Sequence, residues 1–321
     1  MTTLAPWLEE SWRSLSSRLD DARLPHALLV TGPQGLGKRP LVDALVRAAL
    51  CESRAVDGHA CGGCRACQLL AAGSHPDRVQ ITFELRDDGK PRTEITVDQI
   101  RQMGQRLSLS SQFGGLQIAV VDPADAMNAS AANALLKTLE EPASNTVIIL
   151  VANRASRLPA TIRSRCQRIE PRIPALDVAR AWLLAEGIAG GAADAALAAM
   201  LGNPGQALAA ASSGVQALRD SCVRDLASLR KGGNAVAVAE SWNADRPAER
   251  LWHAAVLARG EAMELARGAR GSLGLTGVDE IPKLAAWFVA ANRARELLDT
   301  PLRSELVILD LLQSWPLPRR T

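Results

Sequence analysis

Ile118-Ala119-Val120-Val121-Asp122-Pro123 is the stretch on which the fold turns. An apolar run ending in a carboxylate suits a buried parallel strand that delivers Asp122 to its C-terminal edge, where open α/β sheets place nucleotide sites. A helical pattern follows over Ala134-Leu135-Leu136-Lys137-Thr138-Leu139-Glu140-Glu141-Pro142, apolar on one face and stopped by the proline. Val147 to Val151 reads as a second buried strand, and the window closes on Ile162-Arg163-Ser164-Arg165-Cys166.

Upstream, Ala27 to Thr31 is another short apolar strand, running into Gly32-Pro33-Gln34-Gly35-Leu36-Gly37-Lys38 and a helix expected from about Lys38 to Leu50. Strand, glycine loop, helix is the context of a P-loop, whose backbone N–H groups and helix N-terminus cradle phosphate while the lysine reaches its outer oxygens. Gly32, Gly35, Gly37, Lys38 and Asp122 are therefore the nucleotide-binding candidates. The complete motif follows its lysine with a Ser or Thr hydroxyl for magnesium; Arg39 stands there instead, with no neutral oxygen and a charge that repels the metal. The loop reads either as a weak or relic site for ATP, or as a tight binder without catalysis.

The chain has six cysteines, and four of them cluster as Cys51, Cys61, Cys64 and Cys67. Three thiolates on a tight Gly-rich turn, with one returning from the preceding helix end, suit a closed tetrahedral shell around structural zinc. An iron–sulfur cluster and buried free thiols are the alternatives, and no Cys-Pro follows Cys67 as the common bacterial cluster run requires. His59 lies inside the loop as a substitute ligand. Val79 to Glu84 alternates like a strand leading to a hairpin tip at Arg86 to Arg92, and Thr96-Val97-Asp98 opens a helical run.

Asn133 to Pro142 together with Ser164-Arg165-Cys166 resembles the AAA+ ATPases that load sliding clamps onto DNA. In their motor subunits the strand-end Asp precedes a Glu that activates water; here Pro123 follows, so the resemblance is to a non-hydrolysing member. It implies that Arg165 projects into the nucleotide site of a neighbouring subunit, where a guanidinium spreads phosphate charge. Asn153 stands near the position of a γ-phosphate sensor and reads equally as a turn or cap. A lid arginine of the motors corresponds to Gly205, a further loss.

The resemblance implies an α/β N-terminal AAA+ (RecA-like) domain over 1–170 with a zinc-module insertion at 51–67. A small helical lid (171–208) and an all-α C-terminal collar (209–321), by which subunits form a ring, would follow. Trp242, Trp252, Trp287 and Trp315 sit in or beside the last helices, as core or as subunit-contact anchors. Partners so implied are gamma/tau-type ATPase and delta-type subunits in a hetero-oligomeric ring, with primer-template DNA and the sliding clamp reached through the complex.

A net charge of +3 over 321 residues is too weak for a protein that coats nucleic acid. The charged N-terminus lacks the apolar core of a secretory signal, so a cytoplasmic protein with no membrane partner is expected. Ala195 to Leu218 is uncharged until Leu218 but broken by Gly202-Asn203-Pro204-Gly205, and reads as two helices and a turn. The function expected is a non-catalytic clamp-loader subunit, with an active ATPase motor and a zinc-dependent nucleic-acid binder as alternatives; the latter lacks a basic, aromatic-interleaved strip around Cys61 to Cys67.

Overall fold

The computed structural model describes residues 4–85, 89–90, 92–212, 215–271, 273, 275, 277–298, 300 and 302–315. It divides into two units, Met1–Val178 and Ala179–Thr321. The first runs α1 (Glu9–Asp20), β1 (Ala27–Thr31), α2 (Lys38–Leu50), α3 (Arg65–Ala71), β2 (Arg78–Ile81), α4 (Val97–Leu107), β3 (Gln117–Val121), α5 (Ala129–Glu140), β4 (Thr146–Ala152), α6 (Ala160–Arg163) and β5 (Gln167–Ile169). The strands form one sheet in the order β2-β3-β4-β1-β5, every pair parallel.

Alternation along each strand sends side chains to opposite faces. Leu29, Ala119, Val121, Ile148 and Leu150 pack against Ile100 and Met103 of α4 and Leu135 and Leu139 of α5. Leu28, Val30, Ile118, Val120, Val147 and Ile149 pack against Leu41 and Leu45 of α2 and Trp12 and Leu15 of α1. Both faces are covered, so β1, β3 and β4 are buried along their whole length. That is why they stand out in the sequence as unbroken apolar runs. Edge strand β5 has two exposed residues out of three and no such signature.

The strand expected over Val79 to Glu84 is shorter, since β2 ends at Ile81 and runs parallel to β3, while the chain turns back beyond it with the Arg92 N–H on the Glu84 carbonyl at 2.7 Å, as the expected hairpin tip requires. The Asp122 N–H reaches the Ile81 carbonyl at 3.0 Å, and Pro123 has no N–H to extend the ladder. The Thr82 carbonyl is instead taken by Gln99 Nε2 at 2.8 Å. Arg86, Asp87 and Asp88 of the expected tip lie outside the described residues. Two side-chain caps fix where the next helices start. Thr96 and Gln99 form a capping box on α4, and Asn128 Oδ1 accepts the Ala131 N–H at 2.9 Å on α5.

Helix α7 (Leu176–Ala185) crosses the division, and the second unit continues with α8 (Gly190–Ala199), α9 (Pro204–Ser212), α10 (Val215–Arg230), α11 (Ala235–Ala244), α12 (Pro247–Ala266), α13 (Ile281–Leu297) and α14 (Ser304–Gln313). The turn before α9 is as expected: Gly202 takes φ +80°, and Asn203 Oδ1 caps α9 through the Gln206 N–H at 3.1 Å. Ala179, Leu183, Leu197 and Met200 form one apolar cluster of this unit, and Trp242, Leu257, Leu284, Trp287, Leu311 and Trp315 belong to another. Trp242, Trp287 and Trp315 are therefore core. Trp287 donates to the Leu311 carbonyl at 3.0 Å and meets Trp315 edge-on at 4.5 Å. Trp252 lies under the Arg295 guanidinium, 4.8 Å from the ring centre. Among the described residues no helix is long and apolar enough to cross a membrane.

His253 on α12 is 1% exposed, and its Nδ1 has no hydrogen-bond partner among the described residues. Burial pushes the imidazole from 6.5 down to about 4, with Arg219, Arg246 and Arg295 adding positive charge around it. Folding thus favours the neutral ring: this contribution is complete above about pH 6.5 and is lost as the pH falls through 4. The thermal midpoint should drop by roughly 5 °C from this group between about pH 7 and 5. His253→Gln should remove that component; a variant midpoint that parallels the wild type across the window would show that His253 carries none of it.

Candidate functional site

The glycine loop joins β1 to α2 as the sequence predicts. Gly32, Gly35 and Gly37 have φ of +135°, +90° and +79°, a backbone that side chains resist. Space is short as well, since a Cβ on Gly37 would lie 2.6 Å from Leu8 Cδ1. Trp7 Nε1 donates to the Leu36 carbonyl at 3.0 Å, so the residues leading into α1 roof the loop. Lys38 is 5% exposed, and its ammonium gives hydrogen bonds to the Gly32 and Pro33 carbonyls at 2.6 and 2.8 Å. Burial lowers its pKa to about 8, with the Arg39 charge acting in the same direction and Asp125 and Asp122 opposing it. The loop thus holds its lysine inside, anchored to two of its own carbonyls.

The metal position beside it is filled by protein. Arg39 Nε and Nη2 bind Asp122 Oδ2 and Oδ1 at 2.7 and 3.2 Å, a fork on a carboxylate. Asp122 is 14% exposed, at the end of β3 and next to Pro123. The sequence places at position 39 a charge that repels magnesium; the structure goes further, because the same arginine occupies the carboxylate a hydrated magnesium would use. These residues do not fit a magnesium–nucleotide site. Asp125, which no motif singled out, acts on Lys38 more strongly than any other nearby charge, and its Oδ2 accepts the Arg154 N–H at 2.9 Å. Asn153 is exposed just past β4; the turn that follows is capped by Arg154 and has no side-chain bond, so Asn153 is not its cap.

Arg165 follows α6, its backbone fixed between buried Ile162 and half-buried Cys166. Its Nη2 pairs with Glu140 Oε1 at the end of α5 at 2.6 Å, and its Nη1 donates to the Thr161 carbonyl at 2.9 Å. The side chain remains 37% exposed. The sequence named Arg165 but not Glu140 as its partner, although the acidic pair at the end of α5 is a visible motif.

Cys51, Cys61, Cys64 and Cys67 converge, their sulfurs all within 4.8 Å of one another. Cys51 Sγ lies 3.5 Å from that of Cys61 and 3.9 Å from that of Cys64. Four thiolates about 2.3 Å from one zinc stand roughly 3.7 Å apart, so the spacing fits a single ion and is too tight for a multi-iron cluster. Backbone N–H groups of Cys61, Cys64 and Cys67 point at the sulfurs of Cys51, Cys61 and Cys64 at 3.3, 3.3 and 3.4 Å. Such donors stabilise negative sulfur, and that of Cys64 contributes most to lowering the Cys61 thiol to about 6. Gly62, at φ +76°, makes the tight turn between the ligands. His59 stands outside the set: its ring stacks on Trp12 of α1 at 4.2 Å. Arg54 pairs with Asp20 at 2.6 Å, and a Cβ on Gly58 would collide with Ser16 Oγ, so three contacts seat the module on α1.

The profile of the family described as DNA polymerase III, delta subunit, matches residues 7–173. A DNA polymerase III subunit delta' from Pseudomonas aeruginosa is 39% identical over 247 residues, covering 76% of this chain and 72% of its own. Its counterpart from Escherichia coli K12 is 32% identical over 327 residues, covering 96% and 93%. A DNA polymerase III subunit tau from Bacillus subtilis is 31% identical over 162 residues, 50% of this chain and 27% of its own. With the delta' similarity running over nearly all of both chains in one relative and the family profile spanning the sheet, the phosphate loop and the cysteine module, this chain belongs to the DNA polymerase III delta prime family and is a clamp-loader subunit.

Proposed function

We propose that the chain is a stator: a non-hydrolysing AAA+ subunit that holds the clamp-loader ring together and supplies Arg165 to the ATP of a neighbouring gamma/tau-type subunit while the clamp is loaded onto primed DNA. The observation that carries this reading is the Arg39–Asp122 ion pair. It removes the magnesium site from a loop that also lacks a base at Pro123, while leaving an exposed arginine on the same unit. An active motor needs both the metal and the base. The Lys38 cradle is compatible with weak nucleotide binding without turnover.

In this reading residues 1–170 act as the AAA+ module, 171–208 as a lid and 209–321 as the collar that meets the other subunits, including a delta-type one, in the cytoplasm. Cys51, Cys61, Cys64 and Cys67 hold structural zinc; the ion closes the turn and fixes the module that seats on α1. A filled thiolate shell leaves no position for water, so no chemistry is assigned to it.

Metal analysis of the purified chain should give one zinc per chain, and Cys64→Ser should lower the content below about half an equivalent while reducing stability, because ligand binding energy is also folding energy. Iron in place of zinc, or full zinc retention by the variant, would reject the assignment. The isolated chain should hydrolyse ATP no faster than buffer; sustained turnover of even about 1 per second, within the ordinary enzyme range, would make it a motor.

Arg165→Ala should leave folding and ring assembly intact, since an exposed ion pair contributes only about 0–1 kcal/mol. An arginine supplied in trans is worth roughly a thousandfold or more at the site it serves. DNA-stimulated ATPase of the reconstituted ring should fall in part and clamp loading more steeply, with no rescue by Arg165→Lys, whose ammonium lacks the planar fork. Unchanged loading by an intact mutant ring, checked by gel filtration, would sink the stator reading.

A further inference from the structure

An arginine that acts on a neighbour's phosphate must arrive with its fork already oriented. A long, freely rotating side chain loses conformational freedom on engaging, and that loss subtracts from the rate it contributes. Arg165 is not free in this structure. Glu140 Oε1 takes one end of the guanidinium at 2.6 Å and the Thr161 carbonyl takes the other at 2.9 Å. Both acceptors sit on fixed supports. Glu140 ends α5 next to Leu139, which is 2% exposed, and Thr161 lies in α6 next to Ile162, which is fully buried.

We infer that Glu140 is a positioning residue for Arg165: with the Thr161 carbonyl it pins both terminal nitrogens of the guanidinium and leaves the remaining N–H groups for an anion brought by the neighbouring subunit. This rests on the reading of Arg165 as an arginine supplied in trans. A guanidinium has more donors than these two acceptors use, so it serves an internal carboxylate and an external phosphate at once. Glu140 is 51% exposed and Arg165 37% exposed, so the pair is too solvated to matter much to stability. Its effect belongs in the rate. Glu141, the neighbouring carboxylate, is exposed and caps the end of α5 without contacting Arg165 by any hydrogen bond or ion pair among the described residues.

The experiment uses the ring reconstituted with its cognate ATPase subunits, and measures DNA-stimulated ATPase as kcat and KM for ATP. The difference between wild type and Arg165→Ala defines the Arg165-dependent turnover. Glu140→Gln should cut that part about fivefold to tenfold, the scale of one lost side-chain ordering step. KM should stay within about twofold, because the oriented arginine acts on the transition state rather than on nucleotide capture. Glu141→Gln, an equal change of charge, should leave the rate alone, and Glu140→Asp should recover part of the loss. In the Arg165→Ala background Glu140→Gln should do nothing further.

Each other result overturns the inference. A Glu140→Gln ring as fast as wild type, beside an impaired Arg165→Ala ring, would leave the stator reading standing and dismiss Glu140. A faster ring would mean that Glu140 restrains the arginine instead of presenting it. Equal losses from Glu140→Gln with and without Arg165 would make its role structural. If Arg165→Ala itself is as active as wild type, the reading beneath falls and the inference falls with it.

Discussion

One carboxylate with one arginine on it decides what this nucleotide-like site is. The sheet, its two helical layers and the glycine loop together bring the N-terminus of α2 beside the end of β3, and at that junction Arg39 grips Asp122 with two hydrogen bonds. A metal ion there would have been the largest local charge, with water and phosphate arranged around it. The guanidinium instead satisfies the carboxylate within the chain. Positive charge remains at the loop as protein donors, Lys38 on the loop carbonyls and Arg39 on Asp122.

The same sheet explains why the remaining features sit where they do. A parallel sheet covered on both faces has its functional openings at strand ends, so Lys38 follows β1, Asp122 follows β3 and Asn153 follows β4. Arg165 lies farther on, beyond α6 and just before β5, which pairs with β1 at the sheet edge. The cysteine module is inserted between α2 and β2 and fastens back onto α1. That helix is a shared part: Trp12 takes the module on its flank while Trp7 and Leu8, just before the helix, close over the glycine loop.

How much of this the sequence disclosed follows from the range of the forces involved. Strands buried on both faces write themselves as apolar runs, so β1, β3 and β4 could be read directly, whereas β5 is solvated and paired on one side only and leaves no pattern. Four cysteines carry their chemistry in their spacing. His59 reads from the sequence as a substitute ligand, and only the position of α1 reveals the stack on Trp12. The tryptophans of the last helices were likewise ambiguous until packing put Trp242, Trp287 and Trp315 inside. Least legible were long-range ion pairs. Arg39 lies 83 residues from Asp122, and Arg165 meets a carboxylate on another helix; both depend on angles between elements that no local pattern encodes.

On the stator reading proposed above, the Arg39–Asp122 fork also bears on evolution, because it would make a loss of catalysis hard to undo in single steps. Replacing Arg39 by a hydroxyl residue would release Asp122 and offer a metal ligand, yet Pro123 would still leave no base to use the metal. Placing Glu at position 123 first would add a base beside a carboxylate already held by arginine, with no ion for it to work with. On the same reading neither intermediate would gain turnover, so selection for ATP hydrolysis would have no first step to favour. On that reading the ion pair would work as a ratchet, leaving a chain that has passed it to specialise in holding and presenting surfaces to its neighbours.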